Sequence, residues 1–220
     1  MSTVLIFDTE TTGVIEPVLI ESAGIYINGN PFDKQDNTFI QRYNPEKPIS
    51  YAAMATHHIL DEDLVNCPKP SEFTLDPQVK YLVGHNIDFD WRVIGQPDVK
   101  RIDTLAMARA IYPELDSHIL TALSYALARP EDRPKVREAL KTAHSALTDV
   151  ELCLNILRHI LQKMDLHKWS DIYAFSEESR IPKIMPFGKH KGTPMSEVPQ
   201  DYKNWLKNQP DIDEYLLKAL

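Results

Sequence analysis

The chain has 220 residues, of which 43% are hydrophobic and 25% charged, which is typical of one globular domain with a small addition. The formal net charge of −8 argues against a protein that coats duplex nucleic acid, because such binding needs a broad basic surface. Cys67 and Cys153 form no CxxC motif, so neither a zinc site nor a disulfide framework is expected. The sequence shows no signal peptide and no apolar run of the ~20 residues that span a bilayer, which predicts a cytoplasmic protein without membrane contact.

The first 43 residues predict three strands. Residues 4–7 are an apolar run typical of a buried strand, and residues 18–27 read as a second. A turn signal at residues 28–31 separates the second strand from a third at residues 37–43. The segment is therefore expected to form an antiparallel meander.

Helices dominate the next part of the chain, with one strand at residues 81–86. The predicted elements are a helix capped by Ser50, a surface connection at 66–78, a helix start at 87–91, a short strand or helix entry at 101–104, helices at 104–111 and 117–128, a charged loop at 129–134 and a long helix at 147–164. Strands followed by helices with one interposed strand predict an α/β layer fold with a mixed sheet.

The C-terminal part differs in composition. Residues 1–166 are predicted to be the main domain, residues 167–184 a linker and residues 185–220 a small basic module. Five lysines stand against two acids across residues 183–207, a local excess of +3 in an acidic chain. Tyr202, Trp205 and Leu206 are expected to form the core of this module.

Asp8 and Glu10 stand at the end of the first predicted strand. Side chains alternate along a strand, so both carboxylates point to the same side. Carboxylates held together repel each other and raise their pKa values, unless a cation lies between them. Oxygen ligands on a rigid element suit Mg²⁺ or Mn²⁺. The alternative is a pair of solvated acids at a strand edge.

Two further acids and a histidine complete a candidate site. Asp90 follows the strand at 81–86, although Asp88 competes with it as a ligand. Asp149 lies near the start of the long helix, five residues after His144. On an ideal helix that spacing places the two side chains about 140° apart, so His144 is more useful in the loop before the helix.

Three segments carry a resemblance to a known family. Residues 8–13 (DTETTG), 85–90 (HNIDFD) and 144–149 (HSALTD) resemble the three motifs of the DEDDh 3′–5′ exonucleases, which include proofreading subunits, RNase T, oligoribonuclease and bacterial exonuclease X. Ser145 stands where the tyrosine subclass of this superfamily has its tyrosine, which favours the histidine subclass. The short C-terminal module with residues 187–192 (FGKHKG) is most similar to the exonuclease X branch.

The resemblance implies a fold and a mechanism. The fold would be an RNase H-like mixed sheet flanked by helices. Asp8, Glu10, Asp90 and Asp149 would hold two Mg²⁺ ions, which Mn²⁺ could replace, and two such ions stabilise the attacking and leaving oxygens of a phosphoryl displacement. His144 would take a proton from the attacking water, and nucleoside 5′-monophosphates would leave from 3′ ends.

Ten residues are candidates for binding the substrate: Thr9, Thr11, Thr12, Gly13, Val14, Ile15, His57, Asn86, Lys189 and Lys191. Val14 and Ile15 would stack against the terminal base, with simple packing as the alternative. His57 borders the cleft in the matching family segment, but a packing role is equally open. Asn86 has a structural alternative. The two lysines would hold backbone phosphates while an aromatic side chain of the module, Tyr202 or Trp205, stacks on the nucleic acid, which is the alternative to a core role for these rings.

The main interpretation is a metal-dependent exodeoxyribonuclease that acts on DNA 3′ ends in repair, with a homodimer left open. An exoribonuclease that trims RNA ends is the first alternative, because contacts to the 2′-OH cannot be placed from sequence. A proofreading subunit of a polymerase is the second. A metal-dependent binding module without activity is the third.

Overall fold

The computed structural model describes residues 3–33, 35, 37–140, 145–210 and 212–220. Within these ranges the strands are β1 Thr3–Thr11, β2 Leu19–Ile27, β3 Thr38–Arg42, β4 Val79–Gly84 and β5 Lys100–Asp103. The α-helices are α1 Tyr51–His57, α2 Asp88–Val93, α3 Thr104–Ile111, α4 Leu120–Leu127, α5 Arg133–Ala139, α6 Ala146–Met164, α7 Trp169–Arg180, α8 Gln200–Lys207 and α9 Glu214–Ala219. Among the described helices, none is both long enough and apolar enough to cross a membrane.

The five strands form one mixed sheet in the order β3-β2-β1-β4-β5. β1 pairs antiparallel with β2, and β2 antiparallel with β3, which confirms the predicted meander. β4 pairs parallel with β1, and β5 parallel with β4. Helices flank this sheet, so the predicted α/β class with a mixed sheet is confirmed. β1 is the central strand, and the first acidic motif begins near its carboxyl end.

The apolar run of β1 is buried on both faces of the sheet, which explains why it does not alternate with polar residues. Val4 and Ile6 pack into a core built largely by α6. Leu5 and Phe7 pack into a second cluster on the opposite face, together with Ile87. Because both faces hold β1 in place, the acidic residues that follow the apolar run start from a rigid position.

The segment 167–184, predicted as a linker, contains a helix of the core. Ile172 of α7 is buried, and Tyr173 packs against Tyr81 of β4 with ring centroids 6.1 Å apart. The hydroxyl of Ser176, also buried, accepts a hydrogen bond of 2.8 Å from the backbone N–H of Asp103. The linker prediction is therefore wrong over α7. A second difference is that the predicted charged loop at 129–134 forms a 3₁₀ turn, Pro130–Asp132, and leads directly into α5.

The C-terminal residues have a small core of their own, formed by Met185, Met195, Val198, Leu206 and Leu216. A turn between Ile184 and Pro194, which form an isolated bridge, precedes α8. Gly188 in this turn has φ +72°, and a Cβ there would lie 2.5 Å from the Tyr202 hydroxyl, so the position requires glycine. A separate core supports a distinct unit at 185–220, although the division into domains remains a prediction.

Candidate active site

Three of the four predicted metal ligands meet at one edge of the sheet. One carboxylate oxygen from each of Asp8, Glu10 and Asp149 lies within 4.8 Å of the other two. β1 supplies the first two, and the first turn of α6 supplies the third. Ser145 begins this helix, because its side chain accepts from the backbone N–H of Thr148.

Asp90 lies next to this group, on the third residue of α2. It is buried, and its Oδ1 accepts hydrogen bonds from the backbone N–H of Thr9 at 3.0 Å and from the Thr9 hydroxyl at 2.6 Å. Asp88, two residues earlier, instead forms ion pairs with Arg101 and Arg180. Of these two aspartates, Asp90 is therefore the better candidate for a metal ligand. Thr9 orients its carboxylate rather than presenting its own hydroxyl to the cleft.

Three of these carboxyl groups, those of Asp8, Glu10 and Asp90, have raised pKa values. Burial, followed by the charges of Asp90 and Asp149, raises the pKa of Asp8 well above its ordinary value. Burial and the charge of Asp149 raise the pKa of Glu10 to about 8. Burial raises the pKa of Asp90 to about 7, although the hydrogen bonds from Thr9 oppose this shift. A set of oxygen donors that retains protons near neutrality fits a divalent cation, because the cation replaces those protons.

Glu21 on β2 is a further buried acid, which was not predicted from the sequence. It pairs with Glu10 in the strand register, and its side chain is 1% exposed. Its Oε2 accepts from Nε of Arg42 at 2.9 Å, and its Oε1 accepts from the backbone N–H of Ala146 at 3.3 Å. Glu21 therefore fixes the first turn of α6, where Asp149 stands. A glutamate within the apolar strand at 18–27 was the signal for it.

His144, predicted as the general base, lies in residues 141–144, outside the described residues. Its role remains a prediction.

The turn after β1 is fixed by its own hydrogen bonds. The hydroxyl of Thr11 donates to the backbone carbonyl of Gly13 at 3.0 Å, and the hydroxyl of Thr12 accepts from the N–H of Val18 at 3.2 Å. These buried hydroxyls shape the turn. Val14 and Ile15, at its tip, are 83% and 85% exposed, so their side chains are not packed in the fold.

His57 and Asn86 both take part in hydrogen bonds that hold the backbone. His57 is buried, and its Nδ1 accepts from the backbone N–H of Ile59 at 3.0 Å. Asn86 has the left-handed backbone (φ +74°), and its N–H donates to Asp103 at 3.0 Å. A cleft of about 690 Å³ is bordered by Asp8, Asn86 and Asp149. Asn86 therefore lies where a substrate would enter.

Lys189 and Lys191 lie on the turn of the C-terminal module and are exposed. Among the described contacts, none links them to the acidic cluster. Asp103, the last residue of β5, accepts from the N–H groups of Leu105 and Ala106 and caps α3. The structure thus assembles the acidic residues, whereas the described contacts do not connect the two lysines to them.

A family model for exonucleases, named for RNase T, matches residues 5–157. The match covers all three acidic motifs and ends within α6. A second, short model, named for a quorum-sensing-regulated virulence factor, matches residues 178–211 at the C-terminal module.

Individual relatives include three bacterial proteins named for DNA enzymes. Exodeoxyribonuclease 10 of Escherichia coli K12 is 27% identical over 216 residues, covering 94% of this chain and 91% of the relative. DNA polymerase III subunit epsilon of Treponema pallidum is 30% identical over 167 residues, covering 68% and 72%. The PolC-type DNA polymerase III of Bacillus cereus is 27% identical, but the matched part is only 12% of its length.

Solved structures show the same fold. Exonuclease X in complex with 5′ overhanging duplex DNA superposes with a TM-score of 0.60 and 24% identity, covering 77% of this chain and 99% of that one. Escherichia coli exonuclease I bound to single-stranded DNA superposes with a TM-score of 0.59 and 19% identity, covering 83% and 44%.

Proposed function

Because the chain belongs to the DEDD family of 3′–5′ exonucleases, we propose that it removes nucleotides from the 3′ ends of DNA in a metal-dependent reaction. The observation that carries this proposal is the cluster of Asp8, Glu10 and Asp149, with Asp90 beside it. DNA as the substrate is supported by exodeoxyribonuclease 10, whose similarity extends over 94% of the chain.

Two Mg²⁺ ions, or Mn²⁺ in their place, would stabilise the attacking water oxygen and the leaving 3′ oxygen. Asp8, Glu10, Asp90 and Asp149 would supply the carboxylate oxygens that hold these ions. Thr9 holds the carboxylate of Asp90 in one orientation. The products would be nucleoside 5′-monophosphates.

His144 would remove the proton from the attacking water, since a histidine is half-protonated near neutrality. His144→Ala should lower kcat about 10² to 10⁴-fold, the range for loss of a general base. Binding of Mg²⁺ should persist, because imidazole is not among the proposed ligands. An unchanged kcat would remove His144 from the mechanism.

The test of the main proposal uses DNA and RNA oligomers of one sequence with a 5′ label. Wild type with Mg²⁺ should shorten the DNA from its 3′ end, and neither Asp149→Asn nor wild type in EDTA should do so. Asp171→Asn is a matched control, because Asp171 also stands in the first turn of a helix but is exposed. Faster shortening of RNA would assign the chain to RNA trimming, and tight binding without cleavage would contradict the enzymatic proposal.

We also propose a role in DNA repair rather than in proofreading. The similarity to exodeoxyribonuclease 10 includes the C-terminal module, whereas the match with the epsilon subunit covers only 68% of the chain. Size-exclusion chromatography with a replicative polymerase subunit tests this choice. A stable complex would support proofreading, and the same measurement reports whether the chain is a homodimer.

A further inference from the structure

The C-terminal module carries exposed aromatic rings that do not belong to its core. Tyr202 contacts the ring of His190, with centroids 4.7 Å apart, and the ring of Trp205, with centroids 5.4 Å apart. Trp205 is 53% exposed and Phe187 is 47% exposed. The expectation of a core role is therefore wrong for Trp205, whereas Leu206 is buried in that core and Tyr202 packs against it, as predicted.

Basic side chains flank these rings. Lys189 and Lys191 stand on either side of His190 and are exposed. Within the described part of the chain, no carboxylate lies within 4.0 Å of either ammonium group. The local excess of positive charge across residues 183–207 is thus available to a ligand, although the whole chain has a net charge of −8.

The turn that presents the lysines is held by its backbone. The N–H of Met185 donates to the carbonyl of Thr193 at 2.8 Å, and the N–H of Gly192 donates to the carbonyl of Met185 at 2.9 Å. Tyr202 packs beneath the turn at Gly188. A ligand would therefore meet a preformed surface, which lowers the entropic cost of binding.

We propose that Phe187, Lys189, His190, Lys191 and Trp205 form an aromatic–basic surface that binds single-stranded DNA outside the catalytic cleft. The proposal rests on the proposed function, because the bound strand would be the substrate itself. Exposed rings stack on bases of any sequence, and ammonium groups pair with phosphates. Single strands are favoured over duplex because a duplex buries the faces of its bases.

The first test is equilibrium binding of the full chain to a single-stranded oligomer of about 20 nucleotides in EDTA, where no cleavage occurs. Replacing Lys189 and Lys191 by Gln should lower the slope of log affinity against log salt by about 1.4, which is about 0.7 for each lost phosphate contact. The double variant Lys80→Gln, Lys168→Gln is a matched control, because it removes the same charge from exposed positions elsewhere. Equal slopes for both double variants would overturn the proposal.

The second test reports stacking directly. The fluorescence of Trp205 should be quenched when the strand binds. This quenching should be absent in Trp205→Phe, since the two remaining tryptophans, Trp91 and Trp169, are partly buried. Trp205→Ala should weaken single-strand binding about tenfold, and Trp205→Phe should retain most of the affinity. Thermal melting confirms that both variants are folded. Unquenched Trp205 in the wild-type complex, or duplex binding as tight as single-strand binding, would overturn the proposal.

Kinetics separate this proposal from the proposed function. With Mg²⁺, the double variant at Lys189 and Lys191 should have a higher KM on a long single strand, an unchanged KM on an oligomer of about four nucleotides, and an unchanged kcat on both. The same KM as wild type on the long strand would overturn the aromatic–basic surface while leaving the exonuclease intact. No cleavage by the wild type would instead overturn the proposed function, while binding in EDTA still tests the surface.

Discussion

Binding of Mg²⁺ to the metal-free chain should release protons, because the cation displaces them from the acidic cluster. With a pKa of about 8, Glu10 retains its proton in about nine-tenths of the molecules at pH 7. With a pKa of about 7, Asp90 retains its proton in about half of them. Metal binding at pH 7 should therefore release about one to two protons.

The same linkage sets the pH dependence of the affinity. Treated as independent groups, Glu10 and Asp90 make the apparent affinity for Mg²⁺ about tenfold tighter at pH 8 than at pH 7. Isothermal titration calorimetry in two buffers of different ionisation enthalpy measures both the affinity and the number of protons released.

Two variants define the controls for this experiment. Asp88→Asn should leave the proton release unchanged, since Asp88 faces two arginines rather than the cluster. Glu10→Gln should lower the release by about one proton at pH 7. Binding without proton release, and with the same affinity at both pH values, would refute the electrostatic account of the cluster.

Three further predictions concern stability and substrate binding. The carboxyl pKa values in the cluster are raised above those of the unfolded chain, so the metal-free protein should lose stability as pH rises from about 4.5 to about 8. Saturating Mg²⁺ should remove this trend in thermal melts. A melting temperature of the metal-free protein that rises over this pH range would contradict the prediction. Tyr215→Phe removes hydrogen bonds to Glu177 and Arg180 and should cost about 2 kcal/mol in urea unfolding, whereas a loss below about 0.5 kcal/mol would show that these bonds contribute little. Val14→Ala with Ile15→Ala should raise KM on single strands with an unchanged melting temperature, since both side chains are exposed, and an unchanged KM would remove the stacking role.

Local patterns in the sequence were sufficient for the sheet and for much of the acidic cluster. The apolar run before Asp8 places it on a buried strand, and the alternation along that strand puts Glu10 on the same side. The 3.6-residue periodicity of α6 likewise places Asp149 in its first turn. Each of these inferences uses residues close together in the chain.

Features that depend on distant residues were not accessible in this way. The choice between Asp88 and Asp90 as a ligand depends on partners that are distant in the sequence: Arg180, which pairs with Asp88, is 92 positions away, and Thr9, which donates to Asp90, is 81 positions away. The burial of α7 is equally hidden, because one of its two fully buried residues is the polar Ser176, which bonds to a strand 73 positions earlier. The exposure of Trp205 depends on which side of α8 faces the core of the module. The sequence of so short a segment does not indicate that side.

The last helix returns to the start of the helix that carries Asp90. Glu214 of α9 accepts from Arg101 at 2.9 Å, and the Tyr215 hydroxyl accepts from Arg180 at 2.6 Å. Both arginines also bind Asp88.

Trimming the chain after α7 would therefore do more than remove a DNA-binding surface. Two arginines would lose their outer acceptors and share the single carboxylate of Asp88, half a turn from the metal site. Low activity of a shortened enzyme would then have two explanations: the loss of the surface and the loss of the contacts that α9 makes with the two arginines. Point substitutions within the full-length chain are the way to assign separate roles to the module and to the catalytic centre.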